Sequence, residues 1–537
     1  MSLLALLLPA ETPVEDYPFV PSDVALYHRT LGDAGVLDAH TWDDMLLQPY
    51  SAQLARETSI FGQQELHRRL HADGDADAVA ASAVRVRALT ADAGQRQLLH
   101  KTCDSLRRTD REISEHLFGA DAPAKPRWTP LLRWLPVAFL LSAGLALATG
   151  WVPLWGVVVA LWLLLMGVQM RFRDEAGEWS RINRSAQQML RTHSLLAKLD
   201  APLASPFRAD AARAGKINRA IGQALTRNLP GVREYADWLW QMNIRDYFDS
   251  REVARLNVEF LRHSFRMVAA LEADVALARH LAQAPRQCWA KRGDDLALTQ
   301  VVHPLLADAA PLSFTLEQQG AFISGQNGIG KSTLLRTVGL NLIVARAFGF
   351  CYADSAVVPG LPVYSSMQSE DALDGGESLY IAELRRAQEL LALAKRAPAI
   401  FIIDEIFRGT NHLESISAAT AVLHTLSASG KVIVSSHNLV LAPLLADCLA
   451  PLCVSSVDGR LVLGTGVLQD TNGIALLHAR GFDDAISAKA KRVFDWLSDY
   501  MAHPADCAGI RNSLRFSAAG RSVGQGLQRK VLPVGSR

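Results

Sequence analysis

The sequence predicts two kinds of structure on one chain: an all-α region interrupted by a pair of apolar helices, then an α/β domain with a mainly parallel sheet. Three observations carry this. Residues 37 to about 120, 172–199 and 230–283 place apolar side chains at helical spacing. Trp134 to Met170 is a run of 37 residues without a single charge. From about residue 296 short β-rich runs alternate with helical stretches, the texture of βα units.

At 537 residues the chain is long enough for several domains with their own cores. Hydrophobic residues make up 49% and charged residues 20%, which excludes an intrinsically disordered chain. Lys+Arg 55 against Asp+Glu 54 leaves a formal charge of +1, so any basic surface for nucleic acid or acidic lipid has to be local. Six scattered cysteines show no zinc spacing and read as reduced thiols of a cytosolic environment.

The organisation follows from these textures. Residues 1–36 form an N-terminal segment whose opening Leu-rich stretch lacks a basic flank and makes a poor signal peptide. Residues 37–126 form a first helical region. Residues 127–171 hold the apolar run, which is too long for one membrane span and right for two, at about 134–150 and 152–170. Gly150 and Pro153 punctuate its middle, and Trp151 and Trp155 suit an interfacial belt. Lys125, Arg127 and Arg133 precede it, and Arg171 and Arg173 follow it. The positive-inside rule then places both flanks, and both termini, on the cytoplasmic side of the inner membrane. The alternative is a helical hairpin buried in a soluble core. Residues 172–295 resume the helical pattern, 296–505 form the α/β domain, and 506–537 are a basic, Gly- and Ser-rich tail.

The chemistry lies in the α/β domain. Gly325, Gln326, Asn327, Gly328, Ile329, Gly330, Lys331, Ser332 and Thr333 match G-x-x-x-x-G-K-[ST] between a predicted strand and a predicted helix. Glycines let the backbone wrap phosphates, Lys331 faces the β/γ oxygens of ATP, and the Ser332 hydroxyl can ligand Mg²⁺. The run Ile400–Asp404 is a buried strand ending in the carboxylates Asp404 and Glu405. Asp404 suits Mg²⁺, and Glu405 suits a general base acting on the attacking water. His437 follows the strand Val432–Ser436 and is assigned a catalytic switch role beside the γ-phosphate. The loop Leu373–Ser378 reads either as a helix-capping loop, with Ser378 as N-cap, or as a second phosphate grip supplied in trans by a dimer partner.

In this order the pieces resemble the MutS-type ATPases, the ABC-class nucleotide-binding domains of DNA mismatch-repair proteins. His303-Pro304 stands where that family has its own His-Pro, and Asn327 falls on its P-loop asparagine. Asp371–Ser378 through Glu383 is similar to its signature segment, and Asp404–Thr410 looks like its Walker B strand and following loop. Asn472–Ala475, Leu271–Ala278 and, more weakly, 37–62 also resemble family segments. The resemblance implies ATP and Mg²⁺ as cofactors, hydrolysis of ATP to ADP and phosphate, a homodimer formed through the ATPase domain, and DNA as a partner.

Departures bound that reading. None of the 18 Phe residues is followed two positions later by Glu, so the family's mismatch-reading Phe-x-Glu motif is missing, and residues 1–36 leave no room for its domain. The apolar hairpin stands where the family's levers extend a DNA clamp. Phe407 and Asn411–Glu414 replace small and acidic residues of the family loop. The leading expectation is therefore a membrane-anchored, dimeric, MutS-like ATPase without mismatch reading. The alternative is a nucleotide-switched membrane scaffold or an ABC-type transport component without DNA binding, although two spans are few for a translocation path. The tail, with Arg511, Arg515, Arg521, Arg529, Lys530 and Arg537, can meet DNA phosphates, anionic lipid headgroups or solvent.

Overall fold

The turn of the apolar hairpin is set by Gly150 and Pro153. In a computed structural model the helix Leu135–Thr149 ends on Gly150 at φ +64, a left-handed cap that only glycine adopts without cost. Pro153 then opens the helix Val152–Leu196 from its first turn, where its missing N–H is harmless. The structure describes residues 17–32, 37–72, 75–222, 237–316, 320–367, 379–457, 460–468, 486 and 488–493. The sequence readings at 371–378, 472–475 and 506–537 lie outside the described residues.

Two units divide the chain. The helical unit comprises residues 1–290 with 304–307 and 340–355, and the α/β unit comprises 291–303, 308–339 and 356–537.

In the helical unit the two hairpin helices lie side by side. Val152–Leu196 has a window of mean hydropathy 2.0, long and apolar enough to cross a membrane, whereas Leu135–Thr149 is a shorter apolar helix of 15 residues. Their apolar side chains face outward: Leu141 is 69% exposed, and Leu147 and Val152 more so. The second helix does not stop at the end of the uncharged run. It continues through the sequence-predicted helix 172–199 as one rod of 45 residues, because no Gly-Pro punctuation follows Met170. The predicted helix over 230–283 resolves into Met242–Leu256 and Val258–Gln283, separated at Asn257. Polar ties hold the rest of this unit. Buried Glu272 accepts hydrogen bonds from the Ser59 N–H (2.8 Å), the Ser59 hydroxyl (2.5 Å) and the Gly62 N–H (3.1 Å). Asp274, also buried, is paired with Arg69 at 2.7 Å and Arg85 at 2.6 Å.

Among the described residues twelve short strands follow: β1 (Cys288–Trp289), β2 (Lys291–Arg292), β3 (Leu296–Val301), β4 (Leu312–Leu316), β5 (Gly320–Gly325), β6 (Phe350–Cys351), β7 (Ser355–Val358), β8 (Val363–Ser366), β9 (Ile400–Asp404), β10 (Lys431–Ser435), β11 (Ala450–Val457) and β12 (Arg460–Thr465). The α/β unit is built on a six-stranded sheet of order β12-β11-β5-β10-β9-β8. Its first five strands in chain order run parallel, and only β12 is antiparallel, paired with β11. Strands β5 and β9 are buried at every position, as continuous Ile- and Phe-rich runs in a covered parallel sheet should be. Phe322, Phe401, Ile403, Val432 and Val434 form the core with Leu423 and Leu426 of the helix His412–Ser427. The sequence reading anticipated β5, β9 and β10. It did not anticipate a second sheet of order β2-β7-β3-β4, whose strands are short and lie among turn residues.

Candidate nucleotide site

Strand order places the site. Because β10 lies between β5 and β9, the loops leaving all three open at the same sheet edge, the carboxyl edge where parallel α/β sheets bind ligands. The register aligns Ser435 with Asp404 on one side and with Ile323 on the other.

Gly325 ends β5, and the loop Gln326–Gly330 turns into the helix Lys331–Phe348. Gly328 at φ +77 and Gly330 at φ +103 hold backbone conformations that a side chain would strain, which is why the loop needs glycine there. The Lys331 ammonium, largely buried, donates to the Gly325 carbonyl at 3.0 Å and the Gln326 carbonyl at 3.2 Å. Burial pushes it below the usual lysine range, while the charges of Glu405 and Asp404 oppose that shift. Ser332 is half-buried in the first turn of the same helix and Thr333 is exposed.

Asp404 closes β9 in a buried position and accepts a hydrogen bond from the Ser435 hydroxyl of the neighbouring strand. Glu405 leaves the strand at φ +58, a strained value for a residue with a side chain, and its N–H donates to the Ser435 carbonyl at 3.0 Å. That turn carries the Glu405 carboxylate away from the line of β9. It meets His437 Nε2 at 3.0 Å and Arg408 Nη1 at 3.0 Å. Burial raises the Glu405 carboxyl, but the hydrogen bond from His437 and the charges of Arg408, His437 and Lys331 outweigh it and hold the group below the ordinary carboxylate value. The half-exposed His437 thus reaches the predicted base directly.

The loop after Glu405 is pinned from the side of the helix Leu379–Ala394. The Glu383 carboxylate accepts the N–H groups of Arg408 at 3.2 Å and Gly409 at 3.3 Å. Phe407, fully buried at φ +56, sets its ring 6.1 Å from that of Tyr380. Gly409 lies so close that a Cβ there would stand 2.6 Å from the Tyr380 backbone nitrogen.

The structure therefore brings Lys331, Asp404, Glu405 and His437 to one edge, with Ser332 at the start of the P-loop helix. Ser378 lies outside the described residues. Sequence reasoning missed Ser435, Arg408 and Glu383 as partners. Arg408 had a signal in its i+3 spacing from Glu405, whereas Ser435 and Glu383 depend on strand order and loop packing. His303, set before the P-loop in the sequence, is buried and held down to about 4 by desolvation, with Arg336 adding to the shift.

Comparison with known proteins agrees with this geometry. The family model described as MutS domain V matches residues 321–453. The chain is 30% identical over 186 residues to a DNA mismatch repair protein MutS of Thermus aquaticus, covering 34% of this chain and 22% of that protein. It is 33% identical over 180 residues to an Endonuclease MutS2 of Thermus thermophilus, covering 33% of this chain and 23% of the relative. A DNA mismatch repair protein MutS of Thermotoga neapolitana is 33% identical over 130 residues, 24% of this chain and 16% of its own length. The chain thus spans less than a quarter of the length of these relatives. Within those bounds, the stretch that carries the P-loop, β9 and β10 is similar to MutS domain V, on a chain whose described N-terminal region is helical.

Proposed function

We propose that the chain is a membrane-anchored, MutS-like ATPase that hydrolyses ATP to ADP and phosphate and switches between monomer and dimer through its ATPase domain. The observation that carries this is the convergence of Lys331, Asp404, Glu405 and His437 at the ends of three adjacent strands. The residues fit ATP and Mg²⁺. The left-handed Gly328 and Gly330 shape a loop whose backbone can wrap phosphates, and Lys331 already donates hydrogen bonds at that loop. Ser332 and Asp404 supply the hard oxygen ligands that Mg²⁺ takes beside nucleotide phosphates. When bound, Mg²⁺ would neutralise charge on the β- and γ-oxygens.

The chain's own residues divide the remaining work. Glu405, kept ionised, orients the attacking water and accepts its proton. His437 and Arg408 fix the direction of that carboxylate. In a dimer, Ser378 completes the site of the partner, so that ATP bridges two subunits.

The anchor is Trp134–Met170, placed in the inner membrane with both termini cytoplasmic. It is supported by the outward-facing apolar side chains of two neighbouring helices and by the flanking Arg133, Arg171 and Arg173. DNA is proposed as the ligand that the ATP cycle acts on, bound without mismatch preference. The experiment measures the steady-state ATPase of the full chain in lipid nanodiscs, with and without duplex DNA, and repeats it with Ser378→Arg. Stimulation by perfect and mismatched duplex alike, lost in Ser378→Arg, supports the proposal. A rate unmoved by DNA but raised by lipid composition favours the scaffold reading.

A further inference from the structure

We infer that the cytoplasmic end of the apolar hairpin holds one phospholipid with a primary-ammonium headgroup. The inference rests on the membrane-anchor reading above. A cavity of about 420 Å³ is lined by Phe139, Trp162, Leu165, Met166, Trp238 and Leu239, together with one polar side chain, Gln169. Its size is that of a small-ligand pocket and its wall is apolar. On the helix Val152–Leu196, Trp162, Leu165, Met166 and Gln169 share one face at i, i+3, i+4 and i+7 spacing. At 1.5 Å per residue they occupy about 10 Å, just inside the level of Arg171 and Arg173. That is the depth of the upper acyl chain and the headgroup boundary.

Gln169 supplies the polar lining of this cavity, Gln241 is tied to its wall through Leu165, and Asn243 lines a second, polar cleft. Gln169 Oε1, Gln241 Oε1 and Asn243 Oδ1 are all shielded from solvent, and none has a hydrogen-bond partner. Gln241 is fully buried at φ +48, and its amide nitrogen is committed to the Leu165 carbonyl at 2.8 Å, which leaves the oxygen without a donor. A buried acceptor left unpaired is costly, so these oxygens call for a donor-rich group. One turn beyond Gln169, Arg173 lines a polar cleft with Asp237, Asn243 and Asp246. The cleft combines one cation with two carboxylates. A zwitterion matches it: its phosphate with Arg173, and its ammonium, with three N–H donors and no acceptor, with the amide oxygens and carboxylates. The acyl chain fills the cavity between the Phe139 and Trp238 sides. A choline headgroup has the same charge but no N–H, and is the discriminating comparison.

The test uses the full chain, purified in mild detergent and incubated with dioleoyl phosphatidylethanolamine or dioleoyl phosphatidylcholine, with bound lipid counted by native mass spectrometry. The expected result is one ethanolamine lipid per chain, retained about tenfold more tightly than the choline lipid, the equivalent of one charge-assisted hydrogen bond. Gln169→Leu should keep the apolar wall and erase the preference. Met166→Trp should fill the cavity and lower retention of both lipids, with basal ATPase unchanged in each variant. Equal retention of the two lipids by the unaltered chain, or retention of neither, overturns the site. Alkaline extraction separates the two ways of failing. A chain that stays in the membrane pellet but shows no preference overturns only the lipid site, whereas one released without detergent overturns the anchor and the site together.

Discussion

Glu405 and His437 meet at 3.0 Å although they follow different strands, β9 and β10, and lie 32 positions apart in the chain. The contact exists because the two strands are adjacent and because Glu405 turns out of β9 at a left-handed φ. Under the proposed function this contact would make His437 a positioning residue for the Glu405 carboxylate, with a consequence for pH dependence.

Glu405 sits below its ordinary carboxylate value, with the His437 hydrogen bond the largest of the effects that lower it. A lowered pKa keeps the base ionised, and hydrolysis running, as pH falls through the range where an ordinary carboxylate protonates. His437→Ala removes that hydrogen bond, so the acid limb of the kcat profile should move to higher pH. A profile unchanged in position, with only a scaled rate, contradicts the positioning role.

Glu272 behaves in the opposite sense. Burial pushes its carboxyl up to about 7, against the pull of the Ser59 and Gly62 hydrogen bonds and of Arg107. A carboxyl raised in the folded state binds more protons folded than unfolded. Its contribution is therefore present below the ordinary carboxylate value and is lost as pH rises toward 7. Thermal denaturation followed from pH 4.5 to 7.5 should show this loss in the native chain and a flatter dependence in Glu272→Gln.

Phe407 illustrates a local conflict resolved by packing. Its backbone at φ +56 favours glycine, yet its ring is buried against Tyr380. Phe407→Gly relieves about 1–3 kcal/mol of strain but loses about 3–5 kcal/mol of buried ring. The net expectation is a loss of about 2 kcal/mol, read by denaturant unfolding, together with a slower ATPase as the loop after Glu405 loosens.

Much of this site was legible in the sequence for a physical reason. Phosphate binding and buried parallel strands are both local patterns, so Gly325–Thr333 and Ile400–Glu405 could be read as strings and placed on a strand and a turn. Strand order is not local. That β10 separates β5 from β9, and that the Ser435 hydroxyl therefore meets Asp404, follows from pairing that no single window contains. The same limit hid the continuous helix Val152–Leu196, because the change from apolar to amphipathic residues at Arg171 looks like a boundary although the backbone does not break. The antiparallel β3–β4 pair escaped because its buried positions are interrupted by partly exposed and exposed ones, without the continuous apolar run that marks β9.

The membrane reading has its own test. The full chain should pellet with membranes and resist alkaline carbonate, and deletion of residues 134–170 should release an ATPase into the soluble fraction. Full-length protein recovered in the soluble fraction without detergent contradicts the anchor.

The central claim is that Glu405 is the hydrolytic base of an ATP site that Lys331 and Ser332 bind and a partner subunit completes. The most direct measurement is the ATP turnover, bound nucleotide and solution mass of Glu405→Gln at saturating ATP and Mg²⁺, with Lys331→Ala as the binding control. The account predicts that Glu405→Gln keeps ATP, loses turnover by roughly 100-fold or more and accumulates as an ATP-bound dimer, whereas Lys331→Ala fails to hold ATP. A Glu405→Gln protein that turns over ATP at the native rate contradicts the base, and one that is inactive yet monomeric with ATP bound contradicts the shared site.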